Sequence, residues 1–394
     1  MLSVRDAAAR TRTLCPRLPL DEVAVDDACG RVLAADVIAT RPLPACDSSA
    51  MDGFAVRAAD LPGTLPVVGR VAAGHPPPPL PAGAAVRIMT GAPMPAGADT
   101  VVIFEDARDR GATVELPAAR PGANVRRAGE DLAVGDIAVP AGVRVDWGEI
   151  AAIAALGQAR IAVSRRPHVA IIATGDELVE LGHQPAPHQV VDSSAHALRV
   201  MIAEAGGVAR HLGIARDRED DVHALVARAL GYDVVLTTGG VSAGDHDHVR
   251  EALAAAGVAL DFWKVAMKPG KPLAVGTAGD TVVFALPGNP VSSLVAFELF
   301  VRPALLCMQG CTRTDRPRAP VVVPDGYRKA PGRAHFLRAR LHRDGERLIA
   351  TPLAKQGSHM LSSLVGVDAL VELDADGDGV APGATAPALL LRAV

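Results

Sequence analysis

The stretch HVAIIATGDEL, residues 168–178, runs from an apolar segment into a glycine turn that carries two carboxylates. A short apolar segment bounded by glycine is typical of a buried strand. A helical pattern, DSSAHALRVMIAEAGG, follows at residues 192–207. A strand that leads through a helix into the next strand builds a parallel sheet. The stretch therefore predicts an α/β fold.

The strand-then-helix order repeats toward the C-terminus. DREDDVHALVARALG (217–231), YDVVLTTGGVSAGDHDHVREALAAAG (232–257) and DTVVFALPGNPVSSLVAFELFVRPALL (280–306) show the same alternation. Repeated alternation is typical of helices packed on both faces of one sheet. We predict a multidomain α/β protein with a three-layer α/β/α domain on a mostly parallel sheet.

The remaining chain predicts three further units. Capping patterns at Ser3 and at Asp146 begin two helices, and the sequence between them is rich in Pro and Gly with short β segments. We interpret the sequence between the two helices as an inserted all-β domain, and the tail as a β-barrel or sandwich. The predicted domains are a small helix and strand linker domain (1–40 with 140–166), the insertion (41–139), the α/β domain (167–309) and the C-terminal β domain (310–394).

Composition limits the partners. The chain of 394 residues has a net charge of −4, which argues against nucleic acid or an anionic membrane surface. No apolar stretch reaches the ~18 residues of a membrane span, and the N-terminus lacks a signal-peptide pattern. The five cysteines form no C-x-x-C pair, so we expect reduced thiols. We predict a cytoplasmic protein.

Three glycine- or proline-rich turns end predicted strands, at residues 174–177, 238–245 and 287–293. In open α/β sheets, ligands bind at the carboxyl ends of the strands. Glycine lets the backbone approach an anion, and the following helix offers unpaired N–H groups. The turns together predict a site for phosphate or another anion.

Lysine use supports an anion site. Lys264, Lys268 and Lys271 are three of only five lysines in a chain with 40 Lys plus Arg. Lysine is a compact, mobile charge, whereas arginine presents a planar fork. We interpret the cluster as oxyanion-binding, with a solvated surface cluster as the alternative. Lys329, in the β tail, is expected to be uninvolved.

Carboxylates on the same turns predict a metal site. Asp176, Glu177, Asp245 and Asp247 stand on two of the turns, and carboxylates beside a phosphate pocket commonly hold Mg²⁺. We assign Glu177, Asp245 and Asp247 as metal ligands. The alternative role of such residues is helix capping.

Eight motifs carry a family resemblance: SSAMDGFAV (48–56), IMTGAPMPAGADTVV (88–102), GED (129–131), TGDEL (174–178), TTGGVSAGDHD (237–247), FWKVAMKPGKPLAVG (262–276), LPGNPVSS (286–293) and QGSHMLSSL (356–364). In this order they resemble the MoeA and gephyrin E-domain family, the molybdopterin molybdenumtransferases. The resemblance spans essentially the whole chain. The chain departs from the family pattern at Phe54 and Ser194.

The resemblance implies a reaction and an assembly. Such enzymes transfer molybdenum from molybdate to adenylylated molybdopterin and release AMP with the help of Mg²⁺. They form elongated homodimers in which the insertion of one subunit faces the α/β domain of the other. The adenylyltransferase that makes the pterin substrate and molybdoenzyme apoproteins are expected partners.

The resemblance also implies site residues. The catalytic set would be Asp52, Thr90, Asp131, Glu177, Asp247, Lys264 and Lys268. The substrate-binding set would be Asp176, Ser193, Asp217, Thr238, Gly239, Gly240, Ser242, Gly244, Lys271, Pro287, Gly288, Asn289, Pro290, Ser292, Arg338 and Ser358.

Two other functions stay open. A molybdopterin adenylyltransferase shares a related α/β domain with similar turns, but it would not need the insertion and tail. A non-catalytic scaffold or cofactor carrier is the second alternative, and the chain lacks the additional domain or long linker that would support it.

Overall fold

The computed structural model describes residues 1–240 and 248–392. The predicted site residues Ser242, Gly244, Asp245 and Asp247 lie outside this described part of the chain.

The chain begins with helix α1 (Val4–Thr13) and strands β1 (Leu20–Ala24) and β2 (Val37–Ile38). Ser3 caps α1 as predicted, because its hydroxyl accepts a hydrogen bond of 3.1 Å from the Asp6 amide. The buried Ala7 of α1 belongs to the core of the α/β region. Helix α1 therefore packs against the α/β region, which is distant from it in the sequence.

The inserted region is built from short strands, as predicted. They are β3 (Ser48–Ser49), β4 (Gly53–Val56), β5 (Gly63–Val71), β6 (Ala85–Ile88), β7 (Thr100–Ile103), β8 (Arg108–Asp109), β9 (Thr113–Leu116) and β10 (Val125–Arg126). One six-stranded sheet has the order β7-β4-β6-β5-β9-β8. Phe54 and Ala55 of β4 lie in separate apolar clusters, because successive side chains of a strand point to opposite faces.

Strands after the insertion pair with strands before it. β11 (Ile137–Val139) pairs with β2, and β12 (Arg160–Ser164) pairs antiparallel with β1. Between them, helix α2 (Trp147–Ala155) carries the predicted capping box of Asp146 and Glu149. We expected α1 and α2 to lie together. Instead, Ile153 of α2 packs with the β2 and β12 strands, whereas α1 packs elsewhere.

The α/β region begins with a series of alternating strands and helices. They are β13 (His168–Thr174), β14 (Leu178–Val179), β15 (Val190–Val191), α3 (Ser194–Glu204), β16 (Val208–Ala215), α4 (Glu219–Ala229), β17 (Val234–Thr238), α5 (His248–Ala255), β18 (Ala259–Trp263), β19 (Met267–Lys268), β20 (Ala274–Ala278) and β21 (Thr281–Leu286).

Its sheet is mixed, with the order β16-β13-β17-β21-β20-β18. The first four strands are parallel, and β20 is antiparallel to both of its neighbours. Ile171 faces the cluster that contains Leu198 of α3, whereas Ile172 faces the cluster that contains Val222 of α4. Helices therefore cover both faces, and the carboxyl ends of β13, β17 and β21 open at one edge.

A long apolar helical segment closes this region: α6 (Pro290–Ala296), a π-helical turn (Phe297–Val301) and α7 (Arg302–Met308). Within the described residues, this segment is the one helix long and apolar enough to cross a membrane, and 94% of its apolar window is buried inside the protein. No such stretch was expected from the sequence. Burial of Phe297 and Phe300 in the α/β core accounts for its composition.

The C-terminal strands are β22 (Arg318–Val323), β23 (Tyr327–Arg328), β24 (Ala334–Asp344), β25 (Arg347–Pro352), β26 (Ala369–Leu373), β27 (Gly379–Val380) and β28 (Ala384–Leu390). The order β24-β25-β22-β28-β26 returns to β24 and closes a five-stranded barrel. Of the two predicted alternatives, the structure therefore has the barrel. β19 pairs in parallel with the first residues of β24, with Lys268 opposite His335.

Candidate functional site

A cleft of about 1620 Å³ lies at the carboxyl ends of β13, β17 and β21, where they face the barrel. The turns that follow these strands converge there, as the sequence predicted. The predicted site residues that line the cleft are Glu177, Ser193, Asp217, Thr238, Gly239, Gly240, Lys268, Lys271, Pro287, Gly288, Asn289, Pro290, Ser292 and Ser358.

Glycines form part of the cleft wall because the backbones there are too close for side chains. Gly239 has a φ of +94°, and a Cβ at this position would lie 2.6 Å from the Thr174 carbonyl oxygen. A Cβ on Gly240 would lie 2.3 Å from a Val249 methyl carbon. Both positions therefore require glycine, and their backbones remain open to a ligand.

Two helices begin at the cleft. Ser193 and Ser194 stand at the start of α3, and the buried Asp192 accepts a hydrogen bond of 3.1 Å from the Ala195 amide. Pro290 is the first residue of α6. Helix N-termini carry unpaired N–H groups and a positive dipole end, so both favour an anion in the cleft.

The carboxylates of the cleft come from the loops after β13 and β16. Glu177 is exposed there, and no other described group holds its carboxylate. Asp176 does not line the cleft. It exchanges hydrogen bonds with Asp217, since the Asp217 amide donates to Asp176 Oδ1 at 3.2 Å and the Asp176 amide donates to Asp217 Oδ2 at 3.4 Å. Asp176 therefore fixes Asp217 and is not itself a lining residue.

The cations of the cleft come from segments beside the barrel. Lys268, Lys271 and Arg333 line it, and none of them forms an ion pair within the described residues. Burial, followed by the charges of Lys268, Lys329 and Arg333, lowers the pKa of the adjacent His335 to about 4. Positive charge is thus concentrated here, and no carboxylate in the described part of the chain forms an ion pair with these cations.

Lys264 lies apart from the other two lysines of the cluster. Its side chain is half-buried and does not line the cleft. Its carbonyl oxygen accepts a hydrogen bond of 3.4 Å from the Leu2 amide. The predicted grouping of three lysines therefore holds for Lys268 and Lys271 only.

Arg338, which the resemblance placed among the substrate-binding residues, is fully buried and does not line the cleft. Its Nη2 donates to the carbonyl oxygens of Lys355 at 3.1 Å and Gly357 at 3.3 Å. Gln356 adds two hydrogen bonds to the Arg338 backbone. Arg338 thus orders the loop that carries Ser358 into the cleft, while its Nε and Nη1 have no hydrogen-bond partner in the described structure.

Lys329 is also buried, and it does not line the cleft. Its Nζ donates to the carbonyl oxygens of Ala375 at 3.0 Å and Gly377 at 2.6 Å. A buried ammonium needs such partners. Lys355, which is exposed and does not line the cleft, is the better reference lysine.

Asp52 and Thr90 of the insertion meet each other, as their joint prediction requires. Asp52 Oδ1 accepts hydrogen bonds from the Thr90 amide at 2.7 Å and from the Thr90 hydroxyl at 2.8 Å. These bonds, the amide first, lower the pKa of Asp52. Asp52, Thr90 and Asp131 are exposed, and none of them lines the cleft of the same chain.

Sequence reasoning missed several lining residues: Asp192, Arg333, Gln356 and His359. Gln356 and His359 lie within the QGSHMLSSL motif, so the motif could have indicated them. Asp192 begins the α3 capping pattern. Arg333 carries no local signal, because it reaches the cleft only through the position of the barrel.

Three family profiles cover most of the chain. Residues 2–157 match the MoeA N-terminal region (domains I and II), residues 170–306 match a probable molybdopterin binding domain, and residues 320–391 match the MoeA C-terminal region (domain IV). The cleft is lined mainly by residues of the second match, with Ser358 and Arg333 from the third.

Curated relatives and solved structures agree with the profiles. A molybdopterin molybdenumtransferase of Haemophilus influenzae is 34% identical over 92% of this chain and 91% of its own length. Molybdopterin molybdenumtransferase 2 of Mycobacterium tuberculosis is 37% identical over 92% of each chain. The crystal structure of a molybdopterin biosynthesis MoeA protein from Pyrococcus horikoshii superposes with a TM-score of 0.87 at 27% identity, over 99% of this chain and 100% of that one.

Proposed function

Because this chain belongs to the MoeA family of molybdopterin molybdenumtransferases, we propose that it inserts molybdenum from molybdate into adenylylated molybdopterin and releases AMP. The observation that carries the proposal is one cleft that combines glycine turns, two helix N-termini, unpaired cations and an exposed carboxylate. This combination suits a large substrate that carries several phosphates beside a second, small oxyanion.

The residues divide by chemistry. The backbones of Gly239, Gly240 and Gly288 would hold substrate phosphates, since amides in glycine turns can approach an anion closely. Lys268 and Lys271 would neutralise the oxygens of molybdate or of the pyrophosphate bond that breaks. Arg333 would add a planar, two-pronged contact to the same group of anions.

Magnesium is part of the proposal. Mg²⁺ is usually held by one or two carboxylates together with substrate phosphates and waters. The described residues contain no group of three His, Cys, Asp or Glu side chains around a common point, but Glu177 offers an exposed carboxylate in the cleft. Glu177 would hold the ion with Asp245 and Asp247, and the ion would supply Lewis-acid polarisation of a phosphoryl oxygen.

We further propose that the active protein is a cytoplasmic homodimer, which meets the adenylyltransferase that supplies its substrate and the apoproteins that receive its product. The paired Asp52 and Thr90, together with Asp131, would complete the cleft of the partner subunit. These residues are exposed and do not line the cleft of their own chain, which supports this arrangement.

Mixed dimers test the shared site. A dimer of one Asp52→Ala subunit and one Glu177→Ala subunit contains one intact site if the insertion serves the partner's cleft. We expect such heterodimers to recover activity that both mutant homodimers lack, as measured by AMP release from tag-purified heterodimers. Equally inactive heterodimers would place both residues in the site of a single subunit.

Substrate turnover tests the function itself. Incubation with adenylylated molybdopterin, molybdate and Mg²⁺ should release AMP and yield the molybdenum-loaded cofactor. Consumption of ATP with non-adenylylated molybdopterin would instead indicate an adenylyltransferase. Binding of the pterin without either reaction would indicate a carrier or scaffold.

A further inference from the structure

Two cysteine side chains from opposite ends of the chain meet beside helix α7. Cys15 follows α1 and Cys307 lies in α7, and the Cys15 amide donates at 3.3 Å to the Arg12 carbonyl oxygen, the atom that the Cys307 Sγ also approaches. The Cys15 Sγ also lies 3.2 Å from the Thr11 carbonyl oxygen, to which it donates. Both thiols are free and half-buried, and neither lines the cleft described above.

Hydrogen bonds join the two segments that carry the cysteines. The Leu18 amide donates to the Met308 carbonyl oxygen at 3.0 Å, and Arg17 Nη1 donates to the Cys307 carbonyl oxygen at 3.2 Å. The Cys307 Sγ lies 4.0 Å from the Arg12 carbonyl oxygen. The segment after α1 is therefore fastened to α7 on both sides of the thiols.

The two sulfurs differ in acidity. The neighbouring Cys15 thiol, helped by the charges of Arg17 and Arg12 and opposed by burial, lowers the pKa of Cys307 to about 6. The same contact and burial raise the pKa of Cys15. The thiolate is the nucleophilic form of a cysteine, so Cys307 is the more nucleophilic of the two sulfurs.

We propose that Cys15 and Cys307 form an oxidative modification site that peroxides convert to a disulfide. The Cys307 thiolate attacks one peroxide oxygen, the O–O bond breaks, and sulfenic acid and hydroxide form. The Cys15 thiol then attacks the sulfenyl sulfur, the S–O bond breaks, and water leaves with the thiol proton. Two electrons pass from the sulfurs to the peroxide.

The modification would reach the cleft through an N-terminal arm, residues 1–18. At its far end, the Leu2 amide donates to the Lys264 carbonyl oxygen at 3.4 Å, and the Ala266 amide donates to the Leu2 carbonyl oxygen at 2.8 Å. Lys268, a cleft residue, follows two positions later. A Cys15–Cys307 disulfide would anchor the arm covalently, so the arm would leave this segment less often.

Peptide mapping tests the proposal on the unmodified full-length protein. After brief hydrogen peroxide treatment, alkylation and digestion without reductant, mass spectrometry should detect a Cys15–Cys307 linked peptide. The exposed Cys29 and Cys46 serve as internal controls and should remain alkylated. Full alkylation of Cys15 and Cys307 after oxidation, or their linkage to other cysteines, would overturn the proposal.

Variants separate the two roles. In Cys15→Ala, peroxide should leave a dimedone-reactive sulfenic acid on Cys307, and the pH midpoint of Cys307 alkylation should rise from about 6 toward the ordinary thiol range of roughly 8.5. An unchanged midpoint would exclude the activating contact.

Hydrogen exchange at the Ala266 amide should be slower in the oxidised wild type than in the reduced protein, and equal rates would exclude the coupling to the arm.

Discussion

Replacement of Glu177 by glutamine is expected to lower turnover by about 100-fold or more while the fold is unchanged, the usual scale for loss of a catalytic acid–base or metal-binding group. Glutamine keeps the size and hydrogen-bonding capacity of the side chain but removes its charge. Glu177 is exposed in the cleft and is held by no described partner. Its charge is therefore free for a metal ion or a proton, and its loss should cost little stability.

The measurement is AMP release under saturating substrates, with thermal melting of each variant. Glu180→Gln is the matched control, since Glu180 is exposed three positions further along and does not line the cleft. Raised Mg²⁺ should partly restore the rate of Glu177→Gln if the carboxylate holds the ion. Near-normal turnover of this variant would remove Glu177 from the site.

The Lys268→Ala variant is expected to bind molybdate or the pterin substrate roughly 10- to 150-fold more weakly. This range corresponds to about 1.5–3 kcal/mol for a hydrogen bond to a charged group. The ammonium is exposed in the cleft, whereas the backbone of Lys268 forms the β19–β24 ladder. Removal of the side chain alone should leave that ladder, and hence the melting temperature, unchanged.

Lys268→Arg should also bind poorly although its charge is kept, because a guanidinium is larger, planar and directional. Lys355→Ala and Lys355→Arg are the controls, since Lys355 is exposed outside the cleft. Ligand titration and thermal melting of the four variants distinguish the outcomes. Wild-type affinity of Lys268→Arg, or a stability loss without an affinity loss in Lys268→Ala, would make the lysine structural.

The sequence sufficed for features that depend on local chemistry. The turn residues Gly239 and Gly288 were predicted because a strand end followed by glycine and a helix start has few other uses. The N-cap of α1 and the capping box of α2 follow from short-range hydrogen bonds. The joint prediction of Asp52 and Thr90 came from motif resemblance, and the structure joins their side chains.

The sequence did not suffice where burial decides the role of a charge. Arg338 was predicted to bind substrate and Lys329 to be uninvolved, yet both are buried and hydrogen-bonded to carbonyl oxygens. Which charges face a cleft depends on how the barrel meets the α/β region, and no local pattern encodes that contact. Arg333 was missed for the same reason.

The pairing between β19 and β24 affects whether the barrel can be separated from the α/β region. Lys268 belongs in sequence to the α/β region but pairs with His335 of the barrel. The backbone of the lysine segment is therefore held by a strand of another domain. A recombinant fragment that ends before the barrel would keep the glycine turns but lose the strand that supports Lys268. The barrel is therefore needed to position the anion-binding Lys268. Exchanging it for another domain would require a replacement strand at that position.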